Sequence, residues 1–153
     1  VKFWDSSALV PLLIPEASTA ELEDLYTGDG GVFAWWGAVV ECASAIARLE
    51  RQGAVETDVA SGLFQQLDLM VLTWQQIPPI EAVREMARRF LRNYDLRTAD
   101  ALQLAAAYVA SENRPRTLSF VCLDNRLGEA AQREGFDVIG SAQLQSRPPA
   151  GPA

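Results

Sequence analysis

Val1-Lys2-Phe3-Trp4-Asp5-Ser6-Ser7-Ala8-Leu9-Val10 opens the chain with a change of period. Its first four residues are a short apolar run that Asp5 ends, and residues 6–10 read as a helix, so a strand feeds directly into a helix. The same pattern recurs downstream. Residues 32–36 form a buried strand ended by Gly37, and a helix over 38–52 follows, with Gly53 marking its end. Residues 118–123 form a strand that runs to Asp124, then a helix over 125–134 closed by Gly135, then a short strand over 137–140. Strands separated by helices predict an α/β fold: three layers, with a short parallel sheet covered by helices on both faces.

The intervening segments are helical. Pro11 and Pro15 limit the first helix, and residues 18–26 form a second before the Gly28-Asp29-Gly30-Gly31 turn. Residues 56–70 show helical spacing, with Val59, Leu63, Phe64, Leu67 and Met70 as the inner face, and Pro78-Pro79 begins a helix over 80–94. Asn113-Arg114-Pro115 is a breaker. A chain of 153 residues, 49% of them hydrophobic, suits one domain, expected over 1–145, with a disordered Pro- and Gly-rich tail from Ser146.

The chain contains no His, and its two cysteines, Cys42 and Cys122, show no metal-ligand spacing, which excludes zinc sites and His-based acid/base chemistry. They read as reduced thiols of a cytoplasmic protein. No apolar run approaches the length of a bilayer span, so no membrane insertion is expected. The net charge of −7 argues against a general affinity for nucleic acid, but 12 of the 13 basic residues are arginine. Arg84, Arg88 and Arg92 recur every fourth residue on one predicted helix that also carries Arg89. With Arg97 they are candidate contacts for a nucleic-acid phosphate backbone; the plainer alternative is a solvated face paired with Glu81 and Glu85.

One helix carries a contradiction. In Leu96-Arg97-Thr98-Ala99-Asp100-Ala101-Leu102-Gln103-Leu104-Ala105-Ala106-Ala107-Tyr108-Val109, Thr98 stands where an N-cap belongs. Only Asp100 and Gln103 interrupt the apolar run from Ala99 on, which predicts a helix buried on most sides. An ionised Asp buried there is strongly destabilising unless a cation, a metal or several donors compensate it. No Lys or Arg stands one helical turn away at Leu96, Leu104 or Ala107, so the compensating group is expected from outside the helix. The plain alternative is a first-turn acid that favours the helix dipole. With Thr98 as cap, Asp100 is not the returning half of a capping box, because Ala101 stands three residues on.

Ligands of doubly wound sheets bind at the carboxyl edge of the strands. Asp5 and Asp124 end strands, Glu41 opens the helix after one, and Asp100 opens a helix leading back to one. Singly, Asp5 and Asp124 read as N-caps and Glu41 as a dipole-favoured acid; together they place four carboxylates along one edge. Crowded carboxylates without Lys or His suit a hard divalent cation, Mg2+ or Mn2+, which takes oxygen ligands and bridges to phosphate. The chemistry this predicts is metal-dependent phosphodiester hydrolysis by activated water.

The ordered set Asp5-Ser6-Ser7-Ala8-Leu9, Glu41, Leu96 to Ala105, and Leu123-Asp124-Asn125-Arg126-Leu127 with Ala130-Ala131 and Gly135 resembles the PIN-domain ribonucleases, most of all the VapC-type toxins of toxin-antitoxin pairs. The resemblance implies a PIN-like α/β/α fold and a metal-binding, catalytic quartet of Asp5, Glu41, Asp100 and Asp124, with Ser6, Thr98 and Asn125 in support. It also implies an endoribonuclease, a homodimer, and a cognate antitoxin laid over the early helices. Where family members often carry Thr two residues before the last acid, this chain has Cys122. A PIN-like partner-binding module and a non-toxin RNA-processing nuclease are the alternatives; the presence of all four acids favours a nuclease. A receiver domain needs an acidic pair after the first strand and a late Lys, but the single Lys here is Lys2. A haloacid-dehalogenase-type phosphatase needs a second Asp where Ser7 stands.

Overall fold

The computed structural model describes residues 1–148. Strands β1 (Lys2–Trp4), β2 (Val32–Trp35), β3 (Trp74–Ile77), β4 (Ser119–Val121) and β5 (Asp137–Ile139) form one parallel sheet in the order β3-β2-β1-β4-β5. The helices are α1 (Ser6–Leu9), α2 (Thr19–Thr27), α3 (Ala38–Arg51), α4 (Thr57–Val71), α5 (Glu81–Asn93), α6 (Thr98–Ala110), α7 (Asn125–Glu134) and α8 (Ser141–Gln145). None is long and apolar enough to cross a membrane.

Successive strand residues face opposite sides of a sheet. Phe3 and Trp4 are both fully buried, as are Phe120 and Val121, so both faces of the central strands are covered. This is the expected three-layer arrangement. Phe3 lies opposite Phe120 in the β1–β4 register, and their rings stack at 5.4 Å. Fully burying a Phe contributes about 1.5–3 kcal/mol, so this pair is a main source of stability at that seam.

From β1 the chain builds β2 and then β3 outward on one side, and then crosses back to lay β4 and β5 on the other. The reversal opens a crevice at the carboxyl ends of β1 and β4. α6 packs over β2 and β3 and against α5. Its buried residues are mostly alanine, which lets the helix approach the sheet closely. From α5, Val83, Ala87 and Phe90 point inward, and Phe90 meets Tyr108 edge to face at 5.9 Å. Gly135 closes α7 in the left-handed region at φ 104° and Gly53 adopts φ 70° after α3, as their positions in the sequence predict.

The structure corrects several expectations. β3 was not expected: Trp74-Gln75-Gln76-Ile77 has two exposed polar residues because it is an edge strand. α8 was also not expected. On α4 the expected inner residues Leu63, Phe64, Leu67 and Met70 do pack inward, but Val59 is 53% exposed and Ala60 is buried in its place. The N-cap of α6 is Arg97, not Thr98, because Arg97 is the last extended residue. Asp100 therefore sits at the third helical position, where a side chain can return to the cap. Ser146 and Arg147 still bond back to α8, through Ser146 Oγ to Gln143 O at 3.0 Å and Arg147 N to Leu144 O at 3.3 Å. The rest of the expected tail, 149–153, lies outside the described residues.

Candidate active site

Asp5, Glu41, Asp100 and Asp124 line one cleft of about 440 Å³ at the carboxyl edge of the sheet, together with Ser6, Ser7 and Glu16. Each acid is placed by a different piece of local structure. Asp5 continues the β1–β4 pairing by one residue, its backbone N–H donating to Val121 O at 3.0 Å, and its side chain caps α1 through the Ser7 N–H at 3.1 Å. Asp124 caps α7 through the Leu127 N–H at 2.9 Å. Glu41 stands in the first turn of α3, and Asp100 in the first turn of α6. The N-cap readings of Asp5 and Asp124 and the cleft reading hold together.

The hydrogen bonds to Asp5, Glu41 and Asp124 fall on one oxygen of each. Ser7 N–H, Ser7 Oγ at 2.5 Å and the Cys122 thiol at 3.6 Å all reach Oδ2 of Asp5. Ser6 Oγ and Gln103 Nε2 each reach Oε2 of Glu41 at 2.5 Å. Asp124 accepts through Oδ1. Asp5 Oδ1, Glu41 Oε1 and Asp124 Oδ2 have no hydrogen-bonding partner among the described residues. Three rigidly held carboxylates thus each keep one oxygen free on an oxygen-only cleft, a donor set that fits a hard divalent cation. The side chains as they stand are not drawn tight: among the described residues, no three acidic or Cys side chains are close enough to hold an ion.

The electrostatics agree with crowding. Asp5, only 3% exposed, has its carboxyl pushed up from 3.8 to about 7, chiefly by burial; Glu41 and Asp100 add repulsion, and the Ser7 hydrogen bonds oppose the shift. Glu41 is raised by burial and by Asp100, against the pull of Ser6 and Gln103. Asp100 is raised by burial and by Asp124, against the Arg97 backbone N–H and the Arg97 and Arg126 charges. With Arg97 as N-cap, Asp100 stands at the third helical position, where the Arg97 backbone N–H and the start of the helix favour its charge.

The supporting residues divide. Ser6 touches Glu41, whereas Thr98 and Asn125 are exposed first residues of α6 and α7 and do not line the cleft. Of the arginines, Arg84 pairs with Glu81 and lines a groove with Trp35 and Ile80. Arg88, Arg89 and Arg92 line another groove with Glu85 and Leu91. Arg97 stands at the start of α6 beside Asp100, so part of the positive charge facing that acid comes from its own helix and not, as expected, only from outside it. Sequence reasoning missed Ser7, Gln103, Glu16 and Arg126. Gln103 alone had a signal, as the second polar residue in an otherwise apolar helix.

No model of a known protein family matches the sequence. Over 139 residues the chain is 31% identical to Ribonuclease VapC47 of Mycobacterium tuberculosis (strain CDC 1551 / Oshkosh), covering 88% of this chain and 92% of that one. The chain belongs to the VapC ribonuclease family. Solved structures carry the same fold. A toxin-antitoxin complex from Klebsiella pneumoniae aligns at TM-score 0.60 and 13% identity, covering 82% of this chain and 88% of its counterpart. FitAcB from Neisseria gonorrhoeae aligns at 0.65 and 15%, covering 90% and 96%. FitAB bound to an IR36 DNA fragment aligns at 0.67 and 13%, covering 98% and 100%. At these identities the likeness is one of fold. The VapC assignment places the acidic edge of this chain in a family named for RNA cleavage.

Proposed function

We propose that this chain is a divalent-metal-dependent endoribonuclease and the toxin of a type II toxin-antitoxin pair. The observation that carries the reading is the cleft in which Asp5, Glu41 and Asp124 each have one oxygen held and one free, with Asp100 beside them. Membership of the VapC family supplies the substrate class, RNA. Asp5, Glu41, Asp100 and Asp124 would hold Mg2+ or Mn2+. When bound, the ion lowers the pKa of a coordinated water and stabilises charge on the phosphate. The protein's own part is to aim its carboxylates, to leave their negative charge uncompensated by a buried Lys or Arg so that it is available to the ion, and to guide the RNA backbone past Arg97 and Arg126 beside Asp100.

The family's toxin-antitoxin setting and the exposed apolar surface beside the cleft favour a protein partner. Trp36 and Val40, 53% and 66% exposed, are four residues apart and lead into Glu41. An antitoxin segment covering them would also block the acidic edge, and a homodimer would present two such edges. Incubation of the purified protein with single-stranded RNA and magnesium or manganese tests the reading. Cleavage leaving 5′-phosphates, lost in EDTA and in Asp100→Asn, is expected. Cleavage that persists in Asp100→Asn at saturating metal would sink the site assignment.

A further inference from the structure

We propose that Gln103 is a positioning residue for the acidic cleft: its amide fixes Glu41 so that the protein holds one carboxylate oxygen and the other faces the cation. The proposal rests on the reading of the cleft as a cation site. Gln103 lies one helical turn beyond Asp100 on α6 and is 1% exposed. Its Nε2 donates to Glu41 Oε2 at 2.5 Å and to Ser6 Oγ at 3.3 Å, and Ser6 Oγ donates to the same Glu41 oxygen at 2.5 Å. Side chains from α1, α3 and α6 therefore meet at one oxygen. Neither donor is charged. A Lys or Arg would hold Glu41 as firmly but would neutralise it and compete with a cation, whereas an amide and a hydroxyl orient it and leave its charge.

The other end of the same amide is an independent observation. Gln103 Oε1 is buried without a hydrogen-bonding partner, and it is the one such side-chain atom among the described residues. An orphaned buried acceptor destabilises a fold, and an apolar side chain of equal length would not create one. Packing thus gives no reason for an amide at this position; the N–H directed at Glu41 does. The orientation of the amide follows from the same contact, because its reverse would set an oxygen against the carboxylate.

Calorimetric titration of metal-free protein with manganese chloride tests this, using wild type, Gln103→Met, Glu41→Ala and the double variant. Gln103→Met is expected to weaken manganese binding by about 10-fold or more, in the range typical of residues that orient metal ligands. In the Glu41→Ala background it should cause no further loss. Its metal-free melting temperature should equal or exceed that of wild type, because the orphaned acceptor is gone, and kcat for RNA should fall with KM unchanged. Wild-type manganese affinity in Gln103→Met, or an equal loss with and without Glu41, would overturn the proposal. If Gln103→Met does not fold, Gln103→Asn, whose amide stops one methylene short of Glu41, is judged by the same criteria. A wild type that binds no manganese, or a Glu41→Ala that binds it as tightly as wild type, would instead overturn the cation-site reading underneath.

Discussion

Ser7 grips Asp5 twice, through its hydroxyl at 2.5 Å and its backbone N–H at 3.1 Å, both on Oδ2. The same hydroxyl accepts from the backbone N–H of Leu123 at 2.9 Å and of Asp124 at 3.3 Å. One small side chain therefore ties the acid after β1 to the acid after β4. Ser7→Ala leaves a partly buried N–H without its acceptor, which costs about 1–3 kcal/mol. Urea unfolding is expected to show that loss, and RNA cleavage to fall further than stability alone explains. A variant as stable and as active as wild type would mean the tie is incidental.

The raised carboxyl of Asp5 sets how the metal-free protein responds to pH. Burial, the largest cause, favours the protonated form in the folded state, so between 3.8 and about 7 the folded chain binds more protons than the unfolded one. Stability is therefore highest below that window and is lost as pH rises through it. The loss from Asp5 alone is on the order of 4 kcal/mol, at about 1.4 kcal/mol per pKa unit. Glu41 and Asp100 shift in the same direction. Asp29 shifts the other way: although burial pushes its carboxyl up, hydrogen bonding and the nearby positive charge, Lys2 included, hold it below its usual value of 3.8. Its contribution is lost only at more acidic pH. Urea midpoints in EDTA should fall from pH 5 to pH 8, and Asp5→Asn should flatten that slope.

Asp100→Asn separates repulsion from architecture. The substitution removes one of the mutually repelling charges while keeping a side chain that can reach the Arg97 N–H. In EDTA at pH 8 the variant should melt no lower than wild type. Added magnesium should stabilise wild type by about 2.7 kcal/mol at 100 times its dissociation constant and the variant by less. Thermal melts with and without metal check both statements; a variant much weaker in EDTA yet equally stabilised by magnesium would give Asp100 a structural role.

The arginines of α5 are not equivalent. Arg84 is engaged by Glu81, while Arg88 and Arg92 share a groove with Arg89. Replacing Arg88 and Arg92 together should reduce the salt dependence of single-stranded RNA binding by a slope of about 1.4, or about 0.7 for each phosphate contact. Arg84→Ala should leave the slope unchanged. Binding isotherms across a salt series distinguish the two.

The sequence made the acids legible because each stands at a boundary, where a strand ends or a helix begins, and the parallel sheet brings such boundaries to one edge. β3 was illegible for the converse reason: Gln75 and Gln76 can face solvent on an edge strand, so no apolar run announces it. On α4 only Val59 was misplaced, because it outranks Ala60 in hydrophobicity although the smaller residue is the one that fits inside. Thr98 outranked Arg97 as a cap by residue type, but the extended backbone ends at Arg97. Gln103 stood out as a polar residue in an apolar helix, but its partners Ser6 and Glu41, like the Leu123 and Asp124 contacts of Ser7, are distant in sequence, and no local pattern encodes those pairings.

The position of β1 at the centre of the sheet has a consequence for biosynthesis. The strand made first receives one neighbour, β2, early, but its other neighbour, β4, ends at Val121. Asp5 is anchored to Val121 O, and Ser7 to Leu123 and Asp124, so the acidic edge is incomplete until the chain has been made as far as Asp124 and has paired across the widest sequence separation in the sheet. A chain that has not yet reached Asp124 therefore lacks both the fourth acid and the backbone groups that anchor the first. The order of the strands thus makes the acidic edge the product of a late, long-range pairing, assembled after β1, β2 and β3 have been made.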